Sequence, residues 1–373
     1  MRAAANSLTE RWSAAQAHPL SHLLLAPLSL GYAGILAVRR AWWARYARIP
    51  LLPTVSIGNL TVGGNGKTPF TLFLANHLRQ RGLNVGIVSR GYGGRRPRTP
   101  RIVSDGRNLT MTPEEAGDEP VMMAKSFSGA IAVARRRIDA INLLARNKMA
   151  DTIVLEDGFQ HVRLRRDVDL VLFNPIVGIG NGYVLPAGPL REPVKAIRRA
   201  DAVVLIEPPG TADTSIGSIT PHIMNGKTLV RAQLRPSSMV YSHNGKWHEV
   251  ALMLDGRHIV AVSGIANNTA FHAMVQALGA KLLHTFDYPD HYNYDLRDWR
   301  EIAAAAQQAE LILTTEKDLV KLERFALPTV PLYALRLNVT MQPDDENQLL
   351  TLVLKRIGCA NQQRTSISTN MGE

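Results

Sequence analysis

Beyond residue 50 the chain alternates between short apolar runs and longer stretches whose apolar positions recur every three or four residues. The runs PTVSIGNL (53–60), NVGIVS (84–89), GAIAVA (129–134), ADTIVLEDG (150–158), DVDLVLFN (167–174) and ADAVVLIE (200–207) predict strands buried on both faces. KTPFTLFLANHLRQRG, closing on Gly82, and RRRIDAINLLARNK have helical spacing. Strands separated by helices pair in parallel, so the pattern predicts a doubly wound α/β sheet. Near residue 210 the texture changes. PPGTADTSIGS is loop by composition, and LVRAQLRPSSMVYSHNGKWHEV alternates about an HNG turn. Strand–helix alternation returns in HIVAVSGIAN (258–267), LLHTFDYPDHYNY and ELILTTEKD, before a last helix in DDENQLLTLVLKRI. The expected organisation is an N-terminal helical segment (1–50), a core domain (51–225), a β-ribbon linker (226–250) and a smaller C-terminal α/β lobe (251–358). The polar tail (359–373) is expected to be disordered.

One segment departs from this alternation. Residues 20–38, LSHLLLAPLSLGYAGILAV, contain no Asp, Glu, Lys or Arg and have the length of a bilayer-crossing helix. His22, Pro27, Gly31, Gly34 and serines keep its hydrophobicity modest. Arg39, Arg40, Arg45 and Arg48 follow, among Trp42, Trp43 and Tyr46, the residue types that meet lipid headgroups. An interfacial or re-entrant helix is the leading reading, with a true span and a buried core helix as the others. The charge balance agrees: 43 basic against 31 acidic residues, a net +12, suits nucleic acid, anionic lipid or phosphorylated substrates. The single cysteine, Cys359, excludes an intramolecular disulfide and a thiolate metal cluster.

Chemistry-bearing residues cluster where strands end. TVGGNGKTPF (61–70) has the strand–glycine turn–Lys-Thr–helix context of a phosphate loop, although Thr61 stands where G-x-x-x-x-G-K-[ST] has glycine. Gly63, Gly64, Asn65 and Gly66 bring backbone N–H groups toward phosphate oxygens. Lys67 would reach the β and γ phosphates, and Thr68 would offer its hydroxyl to Mg²⁺. IVLEDGFQH (153–161) ends a strand on Glu156 and Asp157, a position suited to holding that ion. SRGYGG (89–94) and GNGYVLPAGPLREP (180–193) carry Arg90, Arg191 and Glu192 to the same sheet edge. EEAGDEP (114–120), by its composition, is a solvated acidic turn before a helix, and His291 in DYPDHYNY (287–294) stands in a loop of acids and tyrosines. TTEKD (314–318) lacks the asparagine of the guanine-reading N-K-x-D motif, which favours ATP.

Taken in order, GGNGKTP, SRGYGG, GDEP, LEDGFQH, LPAGPLREP, SGI and DHYNY resemble the tetraacyldisaccharide 4′-kinase family of bacterial lipid A biosynthesis. The resemblance implies transfer of the ATP γ-phosphate, with Mg²⁺, to the 4′-hydroxyl of a tetraacylated glucosamine disaccharide 1-phosphate. It implies work at the cytoplasmic face of the inner membrane, with an N-terminal helix on the bilayer and a P-loop NTPase-like core. It makes Asp118 the base and pairs it with His291. Arg90, Tyr92, Glu119, Gln160, His161, Arg191 and Glu192 become candidate phosphate and sugar contacts. Glu156-Asp157 stands where the family commonly has Asp-Asp, and SGIANN departs from the usual S-G-I-G-N-P. The lipid A disaccharide precursor and the inner-membrane lipid surface are the implied partners, with no nucleic acid and no obligate protein partner. Two other readings are a soluble P-loop kinase for another small substrate and a nucleotide-switched scaffold binding membrane or DNA. Against the latter, the chain has no helix-turn-helix or aromatic–basic nucleic-acid motif.

Overall fold

The protein is described by a computed structural model covering residues 19–63, 66–95, 99–209, 227–325 and 329–370. Helix α1 (Pro19–Tyr46) precedes β1 (Thr54–Asn59), α2 (Lys67–Gln80), β2 (Val85–Ser89), β3 (Arg101–Ser104), α3 (Pro113–Ala116), α4 (Asp118–Ser126) and β4 (Ile131–Val133). Then come α5 (Arg137–Arg146), β5 (Thr152–Leu155), β6 (Val168–Phe173), β7 (Ala202–Glu207), β8 (Thr228–His243) and β9 (Lys246–Ala251). The last part holds β10 (His258–Ser263), α6 (Asn268–Ala277), β11 (Lys281–Asp287), α7 (Leu296–Ala305), β12 (Leu311–Thr315), α8 (Glu316–Leu322), β13 (Leu332–Met341) and α9 (Pro343–Asn370).

The apolar runs are strands because both their faces are covered. Along β5, Val154 joins the cluster of Phe70, Leu74 and Leu78 from α2. Its neighbours Ile153 and Leu155 point the other way, to Ile141 and Leu144 of α5. β1 is the central strand, parallel to β5 on one side and β6 on the other. The order here is β7-β6-β1-β5-β2-β4-β3, with only β3 antiparallel. β3 was not expected: it is a short edge strand whose first residue is exposed, too brief to show a period.

β8 carries the sheet into its second half. Its first six residues pair in parallel with β7, from Thr228 opposite Ala202 to Gln233 opposite Glu207. It then runs on past the end of β7, antiparallel to β13 from Ala232 opposite Met341 to Val240 opposite Ala334. Pro236, which cannot donate to a ladder, lies at the register shift in this pairing. The expected HNG hairpin joins β8 to β9 through Asn244 and Gly245, both at positive φ, 52° and 72°. β12, β10 and β11 continue parallel to β13. The described strands therefore form one sheet of 13, not two. Strand direction reverses between β8 and β13, so the carboxyl ends of β10 and β12 face those of β1, β2 and β5.

Two expectations need correction. The N-terminal helix does not stop before the Arg and Trp cluster but carries it, running to Tyr46. The tail is not disordered through 359–370, because α9 extends to Asn370. Leu350, Val353, Ile357 and Ala360 are buried at helical spacing, and the first three pack with Val55 of β1 and Leu170 of β6. One turn further, Arg364 donates to both Asp167 oxygens, at 3.2 and 2.9 Å, and to the Pro50 carbonyl at 3.3 Å. Arg364→Ala should lower the unfolding free energy by about 1–2 kcal/mol, read as a lower urea midpoint at unchanged slope. Deleting residues 359–373 should lower it further. Midpoints equal to wild type in both variants would show that this part of α9 packs on nothing.

Candidate active site

α2 starts at Lys67 directly after Gly66, whose φ of 66° is one that only glycine adopts without strain. Gly64 and Asn65 lie outside the described residues, and Gly63 also has positive φ. Lys67 Nζ lies 3.5 Å from Asn59 Oδ1 and 3.7 Å from Asp157 Oδ1. Thr68 is buried in the first turn of α2. The 183–193 loop is fastened to the strand end below the phosphate loop: Val62 N–H donates to the Pro189 carbonyl at 2.8 Å, and Arg191 N–H to the Leu60 carbonyl at 2.6 Å. Those bonds deliver Arg191, whose Nη1 lies 3.0 and 3.1 Å from the two Asp157 oxygens. Burial pushes the Asp157 carboxyl up, but Lys67 and Arg191 outweigh it and hold it below its ordinary value.

Glu156 is the opposite case. It is buried, and its Oε2 accepts from Ser89 Oγ at 2.8 Å. Burial first, then repulsion from Glu119 and Asp157, pushes it up to about 8. Among the described residues no group of three or more His, Cys, Asp and Glu could hold a metal unaided. Glu156 and Asp157 are two acids that repel each other, a donor pair that suits a divalent ion sharing its shell with phosphate oxygens.

The second cluster forms where the two halves of the sheet meet. Asp118 opens α4 and is buried. His291 reaches it from the loop after β11, with Nδ1 at 3.0 and 3.1 Å from the two carboxylate oxygens. Lys321 of α8 puts Nζ 3.3 Å from Asp118 Oδ2 and 3.5 Å from Asp318 Oδ1, and donates to the Tyr292 carbonyl at 2.9 Å. Lys317, one turn earlier, lies 3.9 Å from Asp118 Oδ2 and 3.1 Å from His291 Nε2. Burial raises the Asp118 pKa, but the His291 hydrogen bond and the charges of Lys317 and Lys321 win and hold it at about 2. Burial lowers that of His291, yet the Asp118 hydrogen bond raises it overall. The glycine loop after β2 lies over the pair. Tyr92 sets its ring 5.2 Å from that of His291, and a Cβ on Gly93 would stand 3.5 Å from Nδ1. A Cβ on Gly117 would come within 2.3 Å of the Tyr92 carbonyl, so GDEP and SRGYGG touch backbone to backbone. Asp157 and His291 share one further property: each is a non-glycine residue at positive φ, 49° and 60°.

The remaining expected contacts are placed unevenly. Gln160 donates through Nε2 to the Asn59 carbonyl at 2.7 Å, beside the phosphate loop. Burial and the nearby Arg137 lower His161 to about 3, which leaves the ring neutral. Arg90 is exposed, and burial raises Glu119. Glu192, expected at the sugar, is buried with Arg199 at 2.8 and 3.1 Å on its two oxygens; that fork leaves it a structural partner of Arg199. Three cations went unread in the sequence. Lys317 and Lys321, four apart after β12, carried a usable signal, since that spacing puts both on one helix face. Arg137 gave none within its run of arginines. It is buried near Glu156 and Asp157, its Nε finds no partner among the described residues, and burial and Arg90 lower it to about 10.

Comparison with known proteins gives a consistent picture. The family profile described as tetraacyldisaccharide-1-P 4′-kinase matches residues 21–358. The tetraacyldisaccharide 4′-kinase of Geobacter metallireducens is 39% identical over 305 residues, covering 80% of this chain and 88% of its own. That of Syntrophus aciditrophicus is 34% identical over 354 residues, covering 90% and 94%. The crystal structure of LpxK from Aquifex aeolicus in complex with ATP superposes with a TM-score of 0.74 at 31% identity, covering 90% of this chain and 99% of that one.

The lowered Asp118 pKa has a measurable consequence. A carboxyl held at about 2 rather than 3.8 contributes stability that is fully present above the unfolded value and lost as pH falls through the folded one. Asp118→Asn should therefore cost about 2 kcal/mol in urea unfolding at pH 7, and the difference from wild type should shrink as pH falls from about 5 toward 3. A pH-independent difference would mean that the ion pairs on Asp118 do not stabilise the fold.

Proposed function

The chain belongs to the tetraacyldisaccharide 4′-kinase family, and from that premise we propose how its own residues carry out the phosphoryl transfer. The reaction is the ATP-dependent phosphorylation of the lipid A precursor at its 4′ position. Lys67, with the backbone N–H groups of the glycine turn, binds the ATP phosphates. Arg191 and Arg137 add positive charge at the transferring group. Thr68, Glu156 and Asp157 would hold Mg²⁺, which supplies neutralisation of the β- and γ-phosphate charge. Asp118 accepts the hydrogen of the 4′-hydroxyl and takes its proton as the new O–P bond forms and the bond from the γ-phosphorus to the bridging oxygen breaks, releasing ADP. A carboxylate held near 2 is a weak base, but a loose transition state needs little proton removal before bond formation, so its main task is to aim the oxygen. His291 fixes the carboxylate's orientation. The 3.0 Å contact between Asp118 and His291, residues 173 apart in the chain, carries this assignment.

Loss of Asp118 in Asp118→Ala should lower kcat by about 10²- to 10⁴-fold with ATP affinity nearly unchanged. His291→Ala should lower it by a smaller factor. The double variant should lose far less than the product of the two, because the residues act as one unit. Multiplicative losses, measured at saturating ATP and lipid, would separate the two roles and end the dyad assignment.

Access to a lipid substrate assigns a task to α1. Leu28, Ile35, Val38, Trp42 and Tyr46 are exposed, at spacings that place them on one face, while Ser29 and Leu36 of another face are buried. Arg39, Arg40 and Arg45 are exposed beside them. No helix among the described residues is long and apolar enough to cross a membrane. We read α1 as lying in the headgroup layer, apolar face inward and arginines on anionic lipid. Ser29 Oγ donates to the Val184 carbonyl at 2.8 Å and accepts from Ala187 N–H at 3.0 Å, which ties the helix to the loop that carries Arg191. Replacing Leu28, Ile35 and Val38 together by serine should weaken partitioning onto anionic vesicles at least about 10-fold. It should also raise KM for lipid but not for ATP. Unchanged partitioning, or a rise in the ATP KM alone, would remove α1 from membrane docking.

A further inference from the structure

TTEKD touches neither nucleotide nor sugar in the proposed reaction, yet its lysine stands against the proposed dyad. We propose that Lys317 is a positioning residue: its ammonium donates to His291 Nε2, fixes the ring proton on Nδ1, and so turns an N–H toward Asp118. This deepens the Asp118–His291 assignment and rests on it.

His291 Nε2 faces Lys317 Nζ at 3.1 Å and Asp290 Oδ2 at 3.8 Å, and of the two only the ammonium is within hydrogen-bond distance. Nδ1 is 3.0 Å from Asp118 Oδ1. An ammonium has donors only, so Nε2 must accept; Nδ1 then carries the proton and donates to the carboxylate. A ring protonated on both nitrogens would set an N–H against the ammonium. The pull of Asp118 for a second ring proton and the Lys317 contact thus oppose each other. Lys317 is itself held charged: burial lowers its pKa, but Asp118, Asp290 and Glu119 raise it overall. Its remaining contacts fix its place, with Asp290 Oδ1 at 2.6 Å and Glu119 Oε1 at 4.0 Å. The groups facing the dyad are therefore Glu119 from α4, Lys317 and Lys321 from α8, and Asp290 with the Tyr92 ring from the covering loops. Lys321 differs in kind. Its ammonium is directed to Asp118, Asp318 and the Tyr292 carbonyl rather than to the ring, so it supplies charge without choosing a tautomer.

With its proton already on Nδ1, the ring cannot take there the proton that Asp118 removes from the 4′-hydroxyl, whether or not Nε2 is also protonated. That proton leaves Asp118 for solvent after transfer, and His291 stays an orienting donor throughout the cycle.

The test uses the full chain in Lys317→Met, Lys317→Gln, Lys317→Arg and Asp118→Ala. Glutamine retains a donor without charge, and arginine retains both. kcat and KM are measured for each. The His291 ring is followed by ¹⁵N NMR, its signals identified as those missing from His291→Ala. The expected result is a kcat roughly 10-fold or more below wild type in Lys317→Met, with ATP KM unchanged and the His291 titration moved to higher pH. Lys317→Gln and Lys317→Arg should retain the Nδ1–H tautomer and most of kcat. Wild-type kcat and tautomer in Lys317→Met would overturn the proposal. So would a fall in kcat with the tautomer and titration unchanged, which would place Lys317 on a substrate instead. Full activity in Asp118→Ala would remove the dyad assignment itself, an outcome distinct from either.

Discussion

The structure depends on one long strand that belongs to two pairings. β8 leaves β7 in parallel register, outruns it, and takes β13 as an antiparallel partner over its outer length. An antiparallel step can follow a tight return, but its consequence here is global. Every strand beyond β13 runs against the first set, so loops at the carboxyl ends of both sets converge. In a doubly wound sheet those are the ends where ligands are held. The phosphate loop, the Glu156–Asp157 turn and the SRGYGG loop come from one side, and DYPDHYNY and TTEKD come from the other. Without the reversal, His291 and Asp118 could not meet.

Such convergence places like charges together, and the molecule resolves this by interleaving signs. Asp157 stands between Lys67 and Arg191, and Asp118 stands among His291, Lys317 and Lys321. Each buried acid so paired is held below its ordinary pKa, whereas Glu156 is raised by burial and by Glu119 and Asp157, and Glu119 is raised by burial, with Asp118 adding to it against the pull of Lys317. The same contacts hold Asp157 and His291 in left-handed backbone that costs about 1–3 kcal/mol at a non-glycine residue. Arg324 with Glu114, Lys125 with Glu323 at 2.8 Å and Arg336 with Ser126 at 2.8 Å fasten α3 and α4 to the second half around them. Two ion pairs and one hydrogen bond thus hold α3 and α4 against the second half around the site.

Most of the sheet could be read from the chain because its strands are buried on both faces and leave continuous apolar runs. What escaped was set by distant contacts. β3 has four residues and one exposed end, and its pairing with β4 is all that makes it a strand. The end of α9 looked like a polar tail, yet Val353, Ile357, Ala360 and Arg364 keep a helical spacing that composition alone conceals. At the site, strand-end motifs announced Lys67 and Asp157, whereas Asp118 and His291 were marked only by the family resemblance, since by composition EEAGDEP reads as a solvated acidic turn. Arg137 and Lys317 stand on ordinary helices, and only the fold brings them in. Glu192 was read as a contact from its motif alone, and its pairing with Arg199, seven residues on, was visible only in the fold.

The loop that carries Arg191 links the proposed membrane face to the chemistry. At Val184 and Ala187 it is bonded to Ser29 of α1, and at Pro189 and Arg191 to the backbone beneath the phosphate loop. At the far end of α1, Trp43 stacks on Arg163 at 4.3 Å, and the Arg48 backbone pairs with the segment after DGFQH. The middle of the helix, at Ser29, and its carboxyl end thus rest on segments that leave the carboxyl edge of the first strand set. A lipid whose acyl chains stay in the bilayer can present a sugar hydroxyl only at a fixed height above it. An enzyme for such a substrate must fix the distance from its membrane face to its transferring phosphate. Hydrogen bonds from α1 to the loops around the phosphate site would do so with no intervening linker. The rigidity of these short connections, more than the apolarity of α1, is what would let a bilayer surface serve as part of the substrate-positioning apparatus.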